Sequence, residues 1–204
     1  MKDARMHGSR SEFRRSPRHL LASLGLLMLT LSSLSQAQNV SEILNYREYT
    51  PLFSSAGQPT REQLPSIKAA GYDRVIYIAF SNGRTAIPEE DQLVKDLGMD
   101  YLHIPVDFNN PTLRDFNAFA DAMQREPESR TLLHCQVNAR ATAFSFLYRV
   151  IYQGADMKAA KADMNTVWQP NAVWRDFIFA VLNDHGISPD CEGCDWTPPA
   201  PQAQ

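Results

Sequence analysis

Leu132-Leu133-His134-Cys135-Gln136-Val137-Asn138-Ala139-Arg140-Ala141-Thr142 is the stretch that decides how this chain folds. An apolar run ends in a His-Cys pair, four residues of loop follow, and Arg140 opens a long helical pattern, so a thiol sits where strand gives way to helix. Backbone N–H groups at a helix start lack partners within the helix and carry the positive end of its dipole, which makes the place suited to an anion. The same field favours the thiolate, the reactive form of cysteine. Arg140 adds a planar guanidinium able to grip two oxygens at once. The competing expectations are plain ones: an inert core thiol at Cys135, a strand histidine with a backbone partner at His134, and a surface arginine at Arg140.

Outward from this stretch the chain alternates. Leu52–Ser54, Val75–Phe80, Tyr101–Val106 and Arg130–Cys135 read as strands, and the second is too apolar to face water on either side. Between them lie helical patterns. Thr60 and Gln63 form a capping box ahead of a helix running to Ala70, Pro88 and two acids open a second, and Thr112 or Asn110 caps a third bearing Leu113, Phe116, Phe119 and Met123. After Arg140 a helix apolar on nearly every side runs to Gly154, followed by Met157–Trp168 and Asn171–His185. Residues 38–49 suggest no more than a helical turn or two, with Ser41 as cap.

Strand and helix in alternation predict an α/β domain: a parallel sheet of four strands, or five, with helices on both faces. Ligands of such sheets bind beyond the carboxyl ends of the strands. The loops Gly57–Thr60, Ser81–Ala86, Asp107–Asn110 and Cys135–Arg140 therefore share one edge, which brings Asp107 to Cys135 by topology alone. Gln58, Arg84 and Asn109 lie on the same edge.

The start of the chain has a different character. Lys2, Arg5, Arg10, Arg14, Arg15 and Arg18 precede an apolar run from Leu20 to Leu34 and small residues at Ser35 and Ala37, the pattern of a secretory signal peptide over residues 1–37. An uncleaved anchor is the alternative. Six of the 20 Lys and Arg but only two of the 23 Asp and Glu lie in that leader, so the remainder is acidic, with a formal charge near −7. That excludes a nucleic-acid partner on charge grounds. One domain is expected over residues 38–188, periplasmic or secreted and off the membrane after cleavage, with a flexible Pro- and Gln-rich tail over 189–204. Cys191 and Cys194 in that tail either close a small disulfide or supply half of a zinc site, for which only His185 offers a further ligand.

His134-Cys135 with Arg140 five residues on resembles the phosphate loop of the cysteine-dependent protein tyrosine and dual-specificity phosphatases. The Cys-x4-Arg spacing is similar to that of the beta-lactamase-hydrolase-like phosphatases, as are Ser55-Ala56-Gly57-Gln58-Pro59-Thr60 and Ile104-Pro105-Val106-Asp107. The likeness covers residues 52–177. It implies a phosphatase-type fold and hydrolysis of phosphomonoesters, on a phosphorylated protein or small phosphoester, through a cysteinyl-phosphate, with no metal or other cofactor. Cys135 would be the nucleophile, His134 would support its ionisation, and Asp107 would be the general acid. Gln136, Val137, Asn138, Ala139 and Arg140 would hold the phosphoryl oxygens. Ala141 departs from the Ser or Thr that often follows the arginine, and Asn138 from a common glycine. Rhodanese-like sulfur transfer through a Cys135 persulfide is the rival activity, and phosphate binding without turnover the rival outside catalysis.

Overall fold

Burial on both faces of a strand is what a parallel sheet between helix layers demands, and three strands here are buried at every position: Phe53–Ala56, Arg74–Tyr77 and Thr131–His134. The computed structural model describes residues 39–199. The expected leader lies outside them, as does the end of the chain from residue 200. In order, the elements are β1 (Arg47–Thr50), β2 (Phe53–Ala56), α1 (Leu64–Ala69), β3 (Arg74–Tyr77), α2 (Glu90–Asp96), β4 (Asp100–His103), α3 (Leu113–Arg125), β5 (Thr131–His134), α4 (Ala139–Tyr152), α5 (Met157–Asn165) and α6 (Ala172–Asp184).

The sheet order is β1-β2-β5-β3-β4. β5 runs parallel between β2 and β3, with His134 level with Ala56 on one side and Tyr77 on the other. Four strands are parallel as expected. The fifth, β1, is antiparallel to β2, and it comes from the segment expected to turn helically. Tyr46 to Thr50 alternates with period two, and Tyr49 reaches Ser55 across the hairpin (Oη to Oγ, 2.8 Å). Only Val40–Glu42 turns helically, as a single 3-10 turn whose cap is Asn39 rather than Ser41.

Alternation along the strands divides the core in two. Val75 and Leu132 face Leu64, Ile67 and Val94 from the α1–α2 side. Phe53, Ile76 and Leu133 face Phe116, Phe119, Phe144, Trp174 and Phe177 from α3, α4 and α6. α4 is buried continuously from Ala139 to Tyr148, so the helix that begins at the loop is the most enclosed in the molecule's described part. Truncating an aromatic such as Phe144 to alanine in such a layer costs about 3–5 kcal/mol. The capping boxes at Thr60/Gln63 and Thr112/Asp115 form as the sequence suggests, and Pro65 sits in the first turn of α1, where its missing N–H is harmless.

The described part of the expected loose tail, residues 189–199, is fastened through Trp196. Its ring packs edge-on to Phe146 and Phe179 at 5.7 and 5.3 Å, its Nε1 donates to Pro189 O, and Lys161 lies over its face. Cys191 and Cys194 are joined as a disulfide. Among the described residues no helix is long and apolar enough to cross a membrane.

Candidate active site

β5 ends at His134, and the next residue, Cys135, is completely buried and is the free cysteine of the described residues. The loop above it is strapped by its carbonyls. Gln58 N donates to Gln136 O (3.1 Å), and Asn45 Nδ2 donates to Val137 O (3.0 Å). Because a peptide is planar and trans, fixing the Gln136 carbonyl outward turns the Val137 N–H inward. The first helical bond of α4 runs from Thr142 N to Asn138 O, so the N–H groups of Ala139, Arg140 and Ala141 precede the ladder and remain available to a ligand.

Two backbone devices make this shape possible. Asn138 is left-handed (φ 70°), the conformation expected where a glycine is common, and its Nδ2 donates to Asn45 O at 2.6 Å. Gly57 lies opposite Val137 and donates to Leu44 O (2.7 Å). A Cβ on Gly57 would come within 3.0 Å of Leu44 O and 3.2 Å of Gln136 O, so any side chain there pushes the strap off the loop. The Gln136 side chain leans the other way, its Nε2 against Gly83 of the β3–α2 connection, where a Cβ would also come within 3.1 Å of Phe80 O.

Arg140 is buried, and its guanidinium lies 5.2 Å above the ring of Phe108. Phe108 packs on Trp168 and Trp174 at 5.7 and 5.6 Å, and Trp174 Nε1 donates to Phe108 O (2.8 Å). The residue before it, Asp107, is half-buried, with Oδ1 accepting from Asn109 N (2.9 Å). That is turn chemistry. It uses one carboxylate oxygen and leaves the other free to act as acid. Thr142, one residue past the position where these loops often carry a hydroxyl, donates to Ala139 O instead.

His134 stands apart from the thiol it was expected to support. Strand alternation turns its ring to the α2 side, while Cys135 belongs to the core beneath α3 and α4. The ring stacks on Tyr77 at 4.7 Å, Tyr77 stacks on His103 at 5.2 Å, and His134 Nε2 lies 3.4 Å from Glu90 Oε1. Burial, with His103 adding to it, presses the imidazole down to about 3, so it is neutral. Burial pushes the Glu90 carboxyl up to about 7, against the opposing hydrogen bonds of Gln58 and Tyr101. Each partner thus resists charge because water is excluded, and the pair holds its proton on the glutamate at mildly acid pH.

Glu90 escaped the sequence reading. It follows Glu89 at a helix start, where acids are usually solvated, and Glu89 is indeed exposed while Glu90 is sealed. No spacing rule separates the two. Gln58, singled out only as a loop residue, is buried and donates to Glu90 Oε1 at 2.8 Å. Arg84 and Asn109 are exposed on their loops.

No family model matches the chain, and no curated protein matches it. Among solved structures, a DUF442 protein of Shewanella putrefaciens CN-32, assigned as a phosphatase, is 33% identical, with a TM-score of 0.67 over 72% of this chain and 97% of its own. Pseudomonas aeruginosa TpbA in complex with phosphotyrosine is similar at 16% identity and TM-score 0.55, over 70% of this chain and 91% of its own. The core catalytic domain of the PP-IP phosphatase SIW14 of Saccharomyces cerevisiae matches at 13% and 0.56, over 67% and 84%. The last two share the fold. Through the first, the chain belongs to the DUF442 family of phosphatases, and it shares the fold of the cysteine-dependent protein tyrosine and dual-specificity phosphatases.

Proposed function

We propose that this protein is an exported phosphatase that hydrolyses phosphomonoesters through a cysteinyl-phosphate at Cys135 and accepts aryl esters such as phosphotyrosine. The observation that carries the reading is the loop itself, its carbonyls tied outward at Gln136 and Val137 above a buried thiol, with Arg140 in the first turn of α4. The Cys135 thiolate attacks phosphorus while the bond to the leaving oxygen breaks. Asp107 protonates that oxygen. The same carboxylate then takes a proton from water as it displaces sulfur, releasing phosphate and the thiolate. The loop N–H groups and Arg140 hold the non-bridging oxygens throughout and stabilise the charge that builds on them. His134 has no part in proton transfer, being neutral and turned away.

The rim favours an aromatic or peptide-borne ester. Leu44, Phe80 and Val137 are exposed on the segments that meet at the loop, whereas Arg84 is the one exposed cation of the four edge loops. A heavily phosphorylated substrate needs more positive charge than that. The basic leader supports export, and the Cys191–Cys194 disulfide suits an oxidising compartment.

Hydrolysis of p-nitrophenyl phosphate by the reduced chain, beside Cys135→Ser, tests the activity, with thiosulfate sulfurtransfer run in parallel. Phosphate release that vanishes in the variant is expected. Sulfur transfer without phosphate release would make the protein rhodanese-like. Export is checked by the mass of the protein recovered outside the cytoplasm, expected to begin at Gln38.

A further inference from the structure

The acid that the mechanism leaves unused is Glu90, sealed at 4% exposure on the α2 side of the sheet. We propose that Glu90 is a positioning residue for the phosphate loop, acting through His134 and Gln58; the inference rests on the phosphatase reading of Cys135. One oxygen, Oε1, accepts from Gln58 Nε2 at 2.8 Å and faces His134 Nε2 at 3.4 Å, and the other faces the Tyr101 hydroxyl at 3.4 Å. Gln58, bonded to Oε1, and His134, whose ring faces it without a hydrogen bond, both bear directly on the start of the loop. Gln58 N ties the Gln136 carbonyl, and His134 is bonded to Cys135. A single carboxyl group therefore borders both neighbours of the residue that must meet phosphorus, bonded to Gln58 on one side and packed against the His134 ring on the other.

The surroundings of Glu90 give it a second property. It meets Gln58 from the turn after β2, His134 from β5, Tyr77 from β3, and Tyr101 and His103 from β4, while Asp91 and Lys95 of its own helix pair with each other in solvent. A cavity of about 440 Å³ beside it has Tyr77, Ile87, Glu90, Tyr101 and His103 in its lining. Burial raises the group to about 7, so its charge changes close to neutrality. Ionised, it sets a negative charge behind a loop built to hold a thiolate and a phosphate dianion, which opposes both. The protonated form is the one that favours turnover.

The test uses the full chain as wild type, Glu90→Gln and Glu90→Ala. Hydrolysis of p-nitrophenyl phosphate and alkylation of Cys135 by iodoacetate are both followed from about pH 5 to about pH 8.5. Glu90→Ala is expected to lower kcat about tenfold or more, while Glu90→Gln, which keeps the hydrogen bonds, stays within about threefold of wild type at the acid end. In both measurements the wild type should show a decline centred near neutrality that Glu90→Gln lacks. Alanine activity within about twofold of wild type at every pH, or glutamine and wild-type profiles that superimpose, overturns the proposal. If the wild type hydrolyses no phosphoester while the alkylation profile still responds to Glu90→Gln, the phosphatase reading fails and the positioning role stands. Should the alanine protein not fold, the glutamine variant decides.

Discussion

The two loops that meet where Arg140 lies over Phe108 are built on opposite principles. The loop from Gln136 to Arg140 is held peptide by peptide through Gln58, Asn45 and the Asn138 side chain. The loop carrying Asp107 is tied within itself by Asn109 and Asn110 N–H groups donating to Asp107, and is anchored to the rest of the domain at Phe108 by packing against Trp168 and Trp174 and one bond from Trp174. Hydrogen bonds fix orientation, whereas ring packing fixes position and tolerates tilt. The loop after Cys135, the proposed nucleophile, is thus preorganised, while Asp107, the proposed acid, lies beside an anchor, half-buried with Asn109 exposed. An oxyanion site must be right before the substrate arrives, while a proton donor has to follow leaving groups of different size.

That contrast can be broken from either side. Cys135→Ser should abolish turnover, by about 10³-fold or more, while the affinity for inorganic phosphate, read by calorimetry, survives because the loop donors remain. Asp107→Asn should cost about 10²-fold on alkyl phosphates and far less on nitrophenyl phosphate, whose leaving group needs no proton. An equal loss on both would remove Asp107 as the acid. Phe108→Ala should destabilise the fold by about 2–3 kcal/mol in urea denaturation, near the low end for aromatic truncation because the ring is only half-buried, and should lower kcat more for poor leaving groups than for good ones.

Smaller effects probe the buried pair and the strap. The Glu90 carboxyl is raised from 4.5 to about 7, so its share of stability is present at acid pH and lost as pH rises through about 7. His134 is depressed from 6.5 to about 3, so its share is present at high pH and lost as pH falls below 6.5. Between 4.5 and 6.5 the unfolded chain carries one proton on the histidine and the folded chain one on the glutamate, so the pair makes no slope there. Its contribution should then fall by about 2 kcal/mol from pH 4.5 to pH 3, measured as the difference between wild type and His134→Gln. Asn138→Gly should cost under about 1 kcal/mol, the lost bond to Asn45 being partly offset by relief of the left-handed backbone, and Asn138→Ala about 1 kcal/mol more. Equal losses for glycine and alanine would mean that the strap, not the backbone angle, is what asparagine supplies.

Much of this was legible in the residues because it depends on local rules. β3 and β5 announce themselves by unbroken apolar runs, the capping boxes by spacing, and the approach of the two loops, seen where Arg140 lies over Phe108, by the edge rule for parallel sheets. The left-handed Asn138 was readable for the same reason. What failed depends on tertiary neighbours. β1 is four residues long, too short to tell period two from a helical turn until β2 lies beside it. Glu90 is chemically the twin of Glu89 and is distinguished only by what covers it. Trp196 sits in a segment whose composition suggests looseness, and a single ring between Phe146 and Phe179 overrides that composition. His134 shows the reverse hazard, since adjacency in sequence to Cys135 places it on the other side of the sheet.

The short hairpin strand β1 is also poorly suited to pairing with a second chain. An edge strand offers unpaired backbone groups to any extended segment that drifts past, and a long flat edge would invite end-to-end association. β1 is four residues long, its pairing slips between Glu48 and Thr50, and its charges are already engaged, Glu48 with Arg130 at 3.3 Å and Arg47 with Thr166 at 3.0 Å. A second chain would have to displace those contacts to continue the sheet. The segment just before it supplies Leu44 and Asn45 to the strap, so damage that frees β1 should produce aggregation and loss of activity as a single event.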